Sequence, residues 1–387
     1  MNGIPQSYLE QLSDETHSDI TSKRLSSREV FHLLLYGFLD TMPLSWRILE
    51  EHYKGRLFQQ RFFPSSPSID HSSLNKRLEK IPIEFFEQLF HYIFSLFEKY
   101  YKSQDYKYYN IIRFDSTAVT LSAKLLHKGM SGFGYPNNQG KPRRQVKFSI
   151  GFNGMCAVNA KAFFDQVYFS EDIALSEVIL ETSFKKNDVL VFDRGLSGGT
   201  QLRKIMDKDI DFVGRLKTRT TFIRSESLPF SKSQDKEDET VEIIEDVLIH
   251  RMADFRRPSD TPFRLVICRI KETNEEMYLL SNMLNLKALE IAQIYRLRWD
   301  IELFFKFLKQ HMHFNHLLSR KEHSIKIVMY MSLIAATMMY LYKKLNNIEG
   351  FKIAKLRFRD EMHEGIIAIL AQIYQNQRSS ILYFEDP

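Results

Sequence analysis

The fold of this chain is decided at Tyr109-Asn110-Ile111-Ile112-Arg113-Phe114-Asp115, where the sequence changes from helical to β-rich character. Two further runs rich in β-branched and aromatic residues follow at 145–152 and 157–164, and three successive strands predict an antiparallel sheet. A helical stretch at 176–182 then precedes Val189-Leu190-Val191-Phe192, an apolar run long enough only for a buried strand. The pattern predicts a mixed α/β core.

The segments on either side of this core have a different character. Apolar clusters recur at helical spacing before about residue 105, short strands return between 210 and 285, and a helical pattern occupies 286–345. Because 387 residues exceed the length of one ordinary domain, we expect several domains. These are a helical N-terminal domain over 1–105, an α/β domain over 106–345 with a β insertion at about 205–288, and a helical C-terminal region over 346–387.

The composition is that of a folded protein with a mild basic bias. Hydrophobic residues make up 44% and charged residues 26%, and 54 Lys and Arg against 48 Asp and Glu give a net charge of +6. That balance suits a polyanionic partner without requiring one. The two cysteines form no CxxC pair, and the N-terminus has no secretory pattern, so we expect a reducing, cytoplasmic location. The uncharged stretch 327–342 is too short for a membrane span and predicts a buried helix.

Two aspartates follow apolar runs directly, Asp115 after Phe114 and Asp193 after Phe192. A carboxylate at the end of a buried strand has a rigid mount, and carboxylate oxygens suit hard cations such as Mg²⁺. Aspartate is also common in turns and at helix N-caps. Position alone therefore leaves a metal site and a local structural role as alternatives.

A third carboxylate lies in the segment Tyr295-Arg296-Leu297-Arg298-Trp299-Asp300-Ile301-Glu302, which continues to Lys309. At about 100° per residue, a single helix through this segment would collect several polar side chains on one face. They are Tyr295, Arg298, Glu302, Lys306 and Lys309. The alternative is a solvated face with intrahelical ion pairs such as Arg298 with Glu302.

At these residues the sequence resembles the DDE transposases of bacterial insertion sequences, specifically the insertion-sequence-four group. That group's signature is Tyr, two residues, Arg, three residues, Glu, six residues and Lys, matched here by Tyr295, Arg298, Glu302 and Lys309. The resemblance also covers Asp115 in Phe-Asp-Ser-Thr and Asp193 in Phe-Asp-Arg-Gly. It spans about residues 108–345, while the N-terminal region matches only in being helical.

The resemblance implies a fold and a chemistry. The fold is a ribonuclease H-like catalytic core interrupted by a β-strand insertion before the glutamate. Asp115, Asp193 and Glu302 would be the catalytic residues and the ligands of two Mg²⁺ ions, for which Mn²⁺ can substitute. In-line attack at a phosphodiester uses one ion to activate the nucleophile and the second to stabilise the leaving oxygen. The implied activity is DNA strand cleavage and strand transfer in cut-and-paste transposition.

The resemblance also implies partners. The DNA partners would be the terminal inverted repeats of the element and a target duplex, bound by a homodimer in the synaptic complex within the bacterial nucleoid, away from any membrane. Phosphate contacts would come from Tyr295, Arg298 and Lys309, with Lys306 on the same stripe, and Trp299 would stack on a base pulled out of the helix. The C-terminal helical region, including 365–370, would serve dimerisation or packing within one chain.

Other basic segments fit a DNA partner. Between 124 and 147 there are six cations and no acidic residue, which predicts a flexible cationic loop or a solvated hairpin beside Asp115. These cations are Lys124, Lys128, Lys141, Arg143, Arg144 and Lys147. A short helix presenting Ser73, Asn75, Lys76 and Arg77 could enter a DNA groove or be a solvated helix face. The histidines at 311, 313, 316 and 323 have no pair at i, i+4 and no cysteine beside them, so zinc is not indicated.

Three competing interpretations remain open. A phosphohydrolase of the haloacid dehalogenase type would use Asp115 as nucleophile but needs a second aspartate where Thr117 stands. A DNA-binding derivative of a transposase would occupy or repress its ends without cutting. A hydrolytic nuclease would cut DNA without rejoining it. Joined products distinguish a transposase from both of the last two.

Overall fold

The computed structural model describes most of the chain. The described residues are 6–20, 22, 24–40, 44–56, 58–59, 64, 66, 68–100, 106–121, 129–131, 144–196, 198–228, 237–251, 262–315, 317–319 and 321–360. The expected helix at 365–370 and the basic residues 124, 128, 141 and 143 lie outside this set.

Helices and strands are numbered in chain order. The helices are α1 (Gln6–Glu15), α2 (Ser27–Leu39), α3 (Trp46–Lys54), α4 (His71–Leu78), α5 (Ile83–Tyr100), α6 (Glu171–Glu181), α7 (Gly199–Met206), α8 (Ala288–Arg296), α9 (Trp299–His311), α10 (Glu322–Leu345) and α11 (Phe351–Asp360). The strands are β1 (Asn110–Thr120), β2 (Met130–Ser131), β3 (Arg144–Phe152), β4 (Ala157–Phe163), β5 (Asp188–Phe192), β6 (Asp211–Leu216), β7 (Phe222–Ser227), β8 (Val241–Arg251), β9 (Phe263–Ile270) and β10 (Glu276–Ser281). The chain divides into two compact units, one of residues 1–102 with 306–387 and one of residues 103–305.

The first unit is helical in all its described elements, and α10 is the described helix with the largest number of buried residues. Helix α2 starts with a capping box, in which the Ser26 hydroxyl accepts from the Glu29 amide at 3.2 Å and the Glu29 carboxylate accepts from the Ser26 amide. Helix α10 packs against α2 and α5. By length and composition α10 could span a membrane, but 89% of its most apolar window is buried inside the protein. The prediction of a buried helix at 327–342 is confirmed.

Helix α4 corrects one expectation from the sequence. Asp70 caps the helix by accepting from the Ser72 and Ser73 amides at 3.0 Å. Arg77, expected on a DNA-reading face, is instead 8% exposed and donates to the Leu25 carbonyl at 2.7 Å and to Asp19. The Nε and one terminal nitrogen of Arg77 donate to partners inside the unit, so this side chain is not presented to DNA as α4 stands.

The second unit is built on one mixed sheet, which confirms the predicted mixed α/β character. The strand order is β4-β3-β1-β5-β6-β10-β9-β8-β7, and β2 also pairs with β3. Strands β1, β5 and β6 are parallel to one another, while the pairs on either side of them are antiparallel. The β6 strand, expected within the insertion, continues the parallel part of the sheet. The predicted antiparallel pairing of the first three long strands, β1, β3 and β4, is confirmed.

Helix α8 packs on one face of the central strands. Its residues Ile291 and Ile294 share a buried core with Ile111 of β1 and with Val189 and Val191 of β5. Successive strand residues alternate between the two faces of a sheet, so the odd-numbered side chains of β1 and β5 point toward α8. This alternation decides which side chains of the two strands can meet the segment that follows α8.

Candidate active site

Asp115 and Asp193 lie side by side at the carboxyl end of the parallel strand pair. The last registered pair of β1 and β5 is Phe114 opposite Phe192, and each aspartate is the next residue along its chain. Both residues are odd-numbered, so their side chains are expected on the face of the sheet that α8 covers. Asp193 directly follows β5, as predicted. Asp115 does not end its strand, because β1 continues to Thr120 by pairing with β3 after its pairing with β5 stops.

The phenylalanine before each aspartate packs over a glycine of the next strand. Phe114 stands opposite Gly151, where an added Cβ would lie 2.6 Å from the Phe114 ring. Phe192 stands opposite Gly214, where an added Cβ would lie 2.1 Å from the Phe192 ring. Since only glycine admits these rings so close to the neighbouring backbone, both strands are held tightly just before their aspartates.

The signature segment is not one helix, which corrects the single-helix expectation. Helix α8 ends at Arg296 and α9 begins at Trp299. At the junction the bonds are of the i to i−3 type: the Arg298 amide donates to the Tyr295 carbonyl at 2.9 Å and the Ile301 amide to the Arg298 carbonyl at 3.2 Å. The uniform angular step behind the predicted stripe therefore fails between Leu297 and Trp299.

The broken segment nevertheless reaches all three predicted carboxylates. Tyr295 donates its hydroxyl to Asp193 at 2.9 Å. Arg298 donates to Glu302 at 2.6 Å, and another of its nitrogens lies 3.9 Å from an Asp115 oxygen. One tyrosine and one arginine thus connect residues that lie on two strands and a helix.

Burial disfavours ionisation of the Asp115 carboxyl group. It raises the pKa of Asp115 to about 6, and the neighbouring carboxylates of Glu171 and Asp193 act in the same direction. The Ser116 amide, which donates to Asp115 at 2.8 Å, and the Arg298 guanidinium oppose them and lower this pKa. Burial and the negative charge of Asp193 also raise the pKa of Tyr295, so Tyr295 remains a hydroxyl donor.

The three carboxylates are of the ligand type that a divalent cation prefers, but in this structure they are too far apart to bind one ion together. Within the described residues, no three side chains of the His, Cys, Asp and Glu types are close enough to hold an ion. The carboxylates of Asp115, Asp193 and Glu302 offer only oxygen, the ligand that Mg²⁺ prefers. Burial is the largest cause of the raised pKa of Asp115, and the charges of Glu171 and Asp193 add a smaller repulsion, which a divalent cation would relieve.

The remaining predicted DNA-contacting residues have varied exposure. The side chain of Trp299, which follows Arg298 in the sequence, is 56% exposed, unusually high for a tryptophan. Lys306 and Lys309 lie in later turns of α9, within the first compact unit, and Lys306 is exposed while burial lowers the pKa of Lys309. Arg144, half-buried at the start of β3, donates to the Gly129 carbonyl at 3.2 Å, and Arg143 lies outside the described residues.

Lys147, expected in a cationic loop, has a different position. It is 4% exposed within β3, donates to the Phe169 carbonyl at 2.7 Å and pairs with Glu171 at 3.0 Å. A lysine paired inside the unit does not contribute to an exposed basic loop, so the prediction is wrong for Lys147. In the sequence, Lys147 shares parity with Gln145 and Ser149 rather than with the apolar residues of β3, so alternation gave no signal of its burial.

Sequence reasoning missed two charged residues around this site. Glu171 starts α6 and contributes to the raised pKa of Asp115. Arg113 is 1% exposed in β1, two residues before Asp115, and donates to the Leu297 carbonyl and to Asp300. The signal for Arg113 was a lone charge within the apolar run of β1, which requires buried partners. No comparable pattern marks Glu171.

Comparison with known proteins gives a consistent result. The family model described as a transposase DDE domain matches residues 109–338, more than half of the 387-residue chain. A protein of Synechocystis sp., named as a transposase for insertion sequence element IS4SA, is 26% identical over 283 residues, covering 72% of each chain. A protein of Sinorhizobium fredii, named as transposase y4zB, is 32% identical over 82 residues, covering 21% of this chain and 22% of its own.

Proposed function

Because this chain belongs to the family of transposases with a DDE domain, we propose that it binds the ends of its own insertion sequence, cuts there and joins the freed ends to target DNA. Both steps are attacks on a phosphodiester, by water and then by a 3′-hydroxyl. The observation that carries this proposal is the bridge from Arg298 to Glu302 at 2.6 Å and toward Asp115 at 3.9 Å. It links the first and third carboxylates across 187 residues of sequence.

We propose a ribonuclease H-like catalytic core within 103–305. The strand order β4-β3-β1-β5-β6, with β1, β5 and β6 parallel, supports this assignment. Strands β7 to β10, which follow β6 and precede Glu302, would be the β insertion. The insertion extends the same sheet and leaves the edge formed by Asp115 and Asp193 in the core part.

Asp115, Asp193 and Glu302 would hold two divalent cations, Mg²⁺ or Mn²⁺. Such ions activate the attacking oxygen and stabilise the leaving oxygen of the phosphodiester. Tyr295 would orient Asp193, because its hydroxyl donates at 2.9 Å and leaves the other carboxylate oxygen for a cation. Arg298 offsets the carboxylate charge in this structure and, once a cation takes over that role, is available to a phosphate oxygen.

DNA contacts near the scissile strand would come from both exposed and basic side chains. Trp299, which follows Arg298 and is 56% exposed, offers a ring on which an unstacked base can pack. Lys306, Lys309, Arg143 and Arg144 supply positive charge for the DNA backbone. These assignments carry the family's pattern onto matching positions of this chain.

The N-terminal helices would bind DNA through a basic cavity in the first unit. This cavity of about 620 Å³ is lined by four cations and one carboxylate. The cations are Arg24, Lys76, Arg77 and Lys80, the carboxylate is Asp70, and four serines complete the polar lining. With Arg77 already bonded inside the unit, the exposed Arg24, Lys76 and Lys80 would contact backbone phosphates. The partner would be the duplex near the element end.

Transposition joins two ends at once, so we propose that two copies act together on a pair of ends. Synapsis requires each catalytic unit to meet its own end while both ends reach one target. Native mass spectrometry of the protein with end DNA tests this directly. We expect a complex of two chains and two duplexes, and complexes that hold only a single chain at saturation would contradict the proposal.

The experiment that tests the proposed function uses the purified full-length chain and a duplex carrying the terminal inverted repeats of its element. With Mg²⁺ we expect a specific nick at the end, followed by joining to target DNA, and no reaction with EDTA. Asp115→Asn should abolish cutting. Asp211→Asn, a similar substitution in the same sheet, should leave cutting intact.

Two outcomes would contradict the proposal and select an alternative. Cutting without joined product indicates a hydrolytic nuclease. If the wild-type protein binds the end but does not cut it, it is a non-cutting derivative. Cleavage that persists in Asp115→Asn would remove the role assigned to that carboxylate.

A further inference from the structure

We propose that Arg113 is a positioning residue, which fixes the break between α8 and α9 and so holds Arg298 and Glu302 at the strand that carries Asp115. The inference rests on the proposed function only for its effect on DNA cleavage. Its structural part concerns how one buried arginine shapes the signature segment.

The burial of Arg113 requires that its charge be fully partnered. The side chain is 1% exposed and lies in the first half of β1, between the apolar residues Ile112 and Phe114. Removing a guanidinium from water is costly unless its donors are bonded and its charge is matched. One donor is used locally, by the Ile111 carbonyl at 2.6 Å. Two further bonds reach the α8–α9 junction.

The junction partners of Arg113 are a backbone carbonyl and a carboxylate. Its Nε donates to the Leu297 carbonyl at 3.0 Å, and one terminal nitrogen donates to Asp300 at 2.8 Å. The side chain has the same parity as Asp115, so it leaves β1 on the face that α8 covers. Arg113 therefore ties the strand of the first carboxylate to the junction that precedes the third.

The Leu297 carbonyl accepts different hydrogen bonds here from those it would accept in a continuous helix. In an uninterrupted α-helix it would accept from the Ile301 amide. Here the Ile301 amide donates to the Arg298 carbonyl at 3.2 Å, and the Leu297 carbonyl accepts from the Asp300 amide at 3.2 Å and from Arg113. Arg113 thus occupies the place at which the helix ladder is interrupted.

The interruption determines where the following side chains lie. Arg298, in the junction, points to Glu302 at 2.6 Å and lies 3.9 Å from Asp115, while Trp299 is left 56% exposed. If the junction relaxed toward a continuous helix, Arg298 and Trp299 would rotate with it. Loss of Arg113 should therefore loosen the geometry of the carboxylate site without removing any of its ligands.

A second buried arginine provides a matched control. Arg264 is 3% exposed in the same sheet, donates to Asp246 at 2.7 and 2.9 Å, and also bonds the Met283 and Leu286 carbonyls. It matches Arg113 in burial and in partner types. Its partners lie outside the α8–α9 junction, so it reports the cost of losing a buried arginine alone.

The first measurement is independent of catalysis. The chain has two tryptophans, so Trp46→Phe leaves Trp299 as the reporter of the junction. In this background Arg113→Lys should lower the fluorescence anisotropy of Trp299 and increase its quenching by acrylamide. Arg264→Lys should change neither, although both variants lose thermal stability. Unchanged Trp299 fluorescence in a folded Arg113→Lys protein would overturn the proposal.

The second measurement uses electron paramagnetic resonance to determine Mn²⁺ binding, together with an assay of end cleavage. We expect Arg113→Lys to weaken Mn²⁺ binding and to slow cleavage, each by about 10-fold or more, with Arg264→Lys near wild type. Equal losses in both variants would overturn the proposal. If Arg113→Lys does not fold, Asp300→Asn, which removes the charge of the partly exposed partner, should give the same changes in smaller size. Mn²⁺ binding and cleavage at the wild-type level in Asp300→Asn would also overturn the proposal.

These two measurements separate failure of this inference from failure of the proposed function. A wild-type protein that neither binds Mn²⁺ nor cuts DNA would contradict the proposed function. The Trp299 comparison would still decide whether Arg113 fixes the junction.

Discussion

Asp115 is a carboxylate held where ionisation is unfavourable. Burial raises its pKa to about 6, and the carboxylates of Glu171 and Asp193 add to the effect, while Arg298 opposes it. In the absence of a cation, folding therefore places this carboxylate in a less favourable environment than it has in the unfolded chain, mainly through desolvation and to a smaller extent through repulsion. A divalent cation bound to the folded state relieves that repulsion and stabilises the fold by mass action.

Binding of Mg²⁺ should therefore raise the thermal midpoint of the wild-type protein. At a concentration about 100 times the dissociation constant, we expect an increase on the order of 5–10 °C for a unit of this size. Asp115→Asn should lose this increase, since it removes a ligand, and should not lower the midpoint without Mg²⁺, since it also removes a partly buried charge. Differential scanning calorimetry measures both.

The matched control for this prediction is Asp211→Asn. Burial also raises the pKa of Asp211, but this residue starts β6 and is not part of the carboxylate set. It should keep the full response to Mg²⁺. An equal loss of response in Asp115→Asn and Asp211→Asn would indicate that Mg²⁺ acts through general electrostatics.

Tyr295 acts on the site through one hydroxyl. It donates to Asp193 at 2.9 Å and is itself 6% exposed, so Tyr295→Phe removes the donor with little change in packing. We expect cleavage to slow by about 10- to 100-fold, the usual effect of losing a group that orients a metal ligand. The check is a single-turnover cleavage assay at saturating Mg²⁺. Tyr278→Phe, in which the lost hydroxyl donates to Glu276 outside the site, should cleave at the wild-type rate.

At the scale of elements, the aspartates depend on how closely their strands pack. Phe192 of β5 lies over Gly214 of β6, and Phe114 of β1 lies over Gly151 of β3. Each aromatic ring fills the space that a side chain on the neighbouring strand would take. The strand ends are therefore fixed by large, buried contacts on the face opposite to the carboxylates.

Gly214→Ala should destabilise the protein because its new methyl group would meet the Phe192 ring at 2.1 Å. Overpacking of this kind costs about 1–3 kcal/mol, measured as a lower free energy of unfolding in urea. Gly199→Ala at the start of α7 has no atom within 4 Å of the added methyl group and serves as the control. It should be neutral, and a comparable loss of stability in both variants would contradict the packing argument.

The sequence predicted these elements well where the information was local. The runs that became β3, β4 and β5 were placed to within about one residue, because alternating or continuous apolar character is a local property. The signature spacing also singled out Tyr295, Arg298 and Glu302, which lie together in the structure with the two aspartates. It did so through the wrong geometry, since a single helix was expected where α8 and α9 are separate.

The break could not be predicted because its cause is distant in sequence. The Leu297 carbonyl is diverted by Arg113, which lies 184 residues earlier in the chain. Lys147 was misplaced for a similar reason, as its partner Glu171 belongs to a helix that packs on its strand. Local patterns identify a charged residue, but only tertiary packing decides whether it faces solvent or a buried partner.

At the scale of the whole molecule, the first compact unit is discontinuous in sequence. It combines 1–102 with 306–387, and α10 from the second segment packs against α2 and α5 from the first. Specific bonds join the segments, including Trp46 to the Leu318 carbonyl at 2.6 Å and His323 with the Ile81 carbonyl at 2.7 Å. The N-terminal helices therefore depend on the end of the described chain for their core.

If the N-terminal cavity contacts DNA phosphates, affinity for duplex should fall steeply with salt. Each neutralised phosphate contributes about 0.9 to the slope of log K against log salt concentration. The double variant Lys76→Ala, Lys80→Ala should bind more weakly and reduce that slope by about 1–2. Fluorescence anisotropy with labelled end DNA measures the slope. Lys352 is an exposed lysine of the same unit that does not line the cavity, so Lys352→Ala should leave the slope nearly unchanged. Equal slopes for the wild type, the double variant and Lys352→Ala would exclude the cavity as a DNA-binding site.

The most direct test of the catalytic account is strand transfer with a pre-cut end. A labelled duplex ending in the 3′-hydroxyl of the element is incubated with the protein, Mg²⁺ and a supercoiled plasmid, which removes the first cut from the measurement. We expect labelled strand covalently joined to plasmid, with the product abolished by Asp115→Asn, Asp193→Asn or Glu302→Gln. Joining at the wild-type rate by Glu302→Gln, or release of the label by hydrolysis alone, would contradict it.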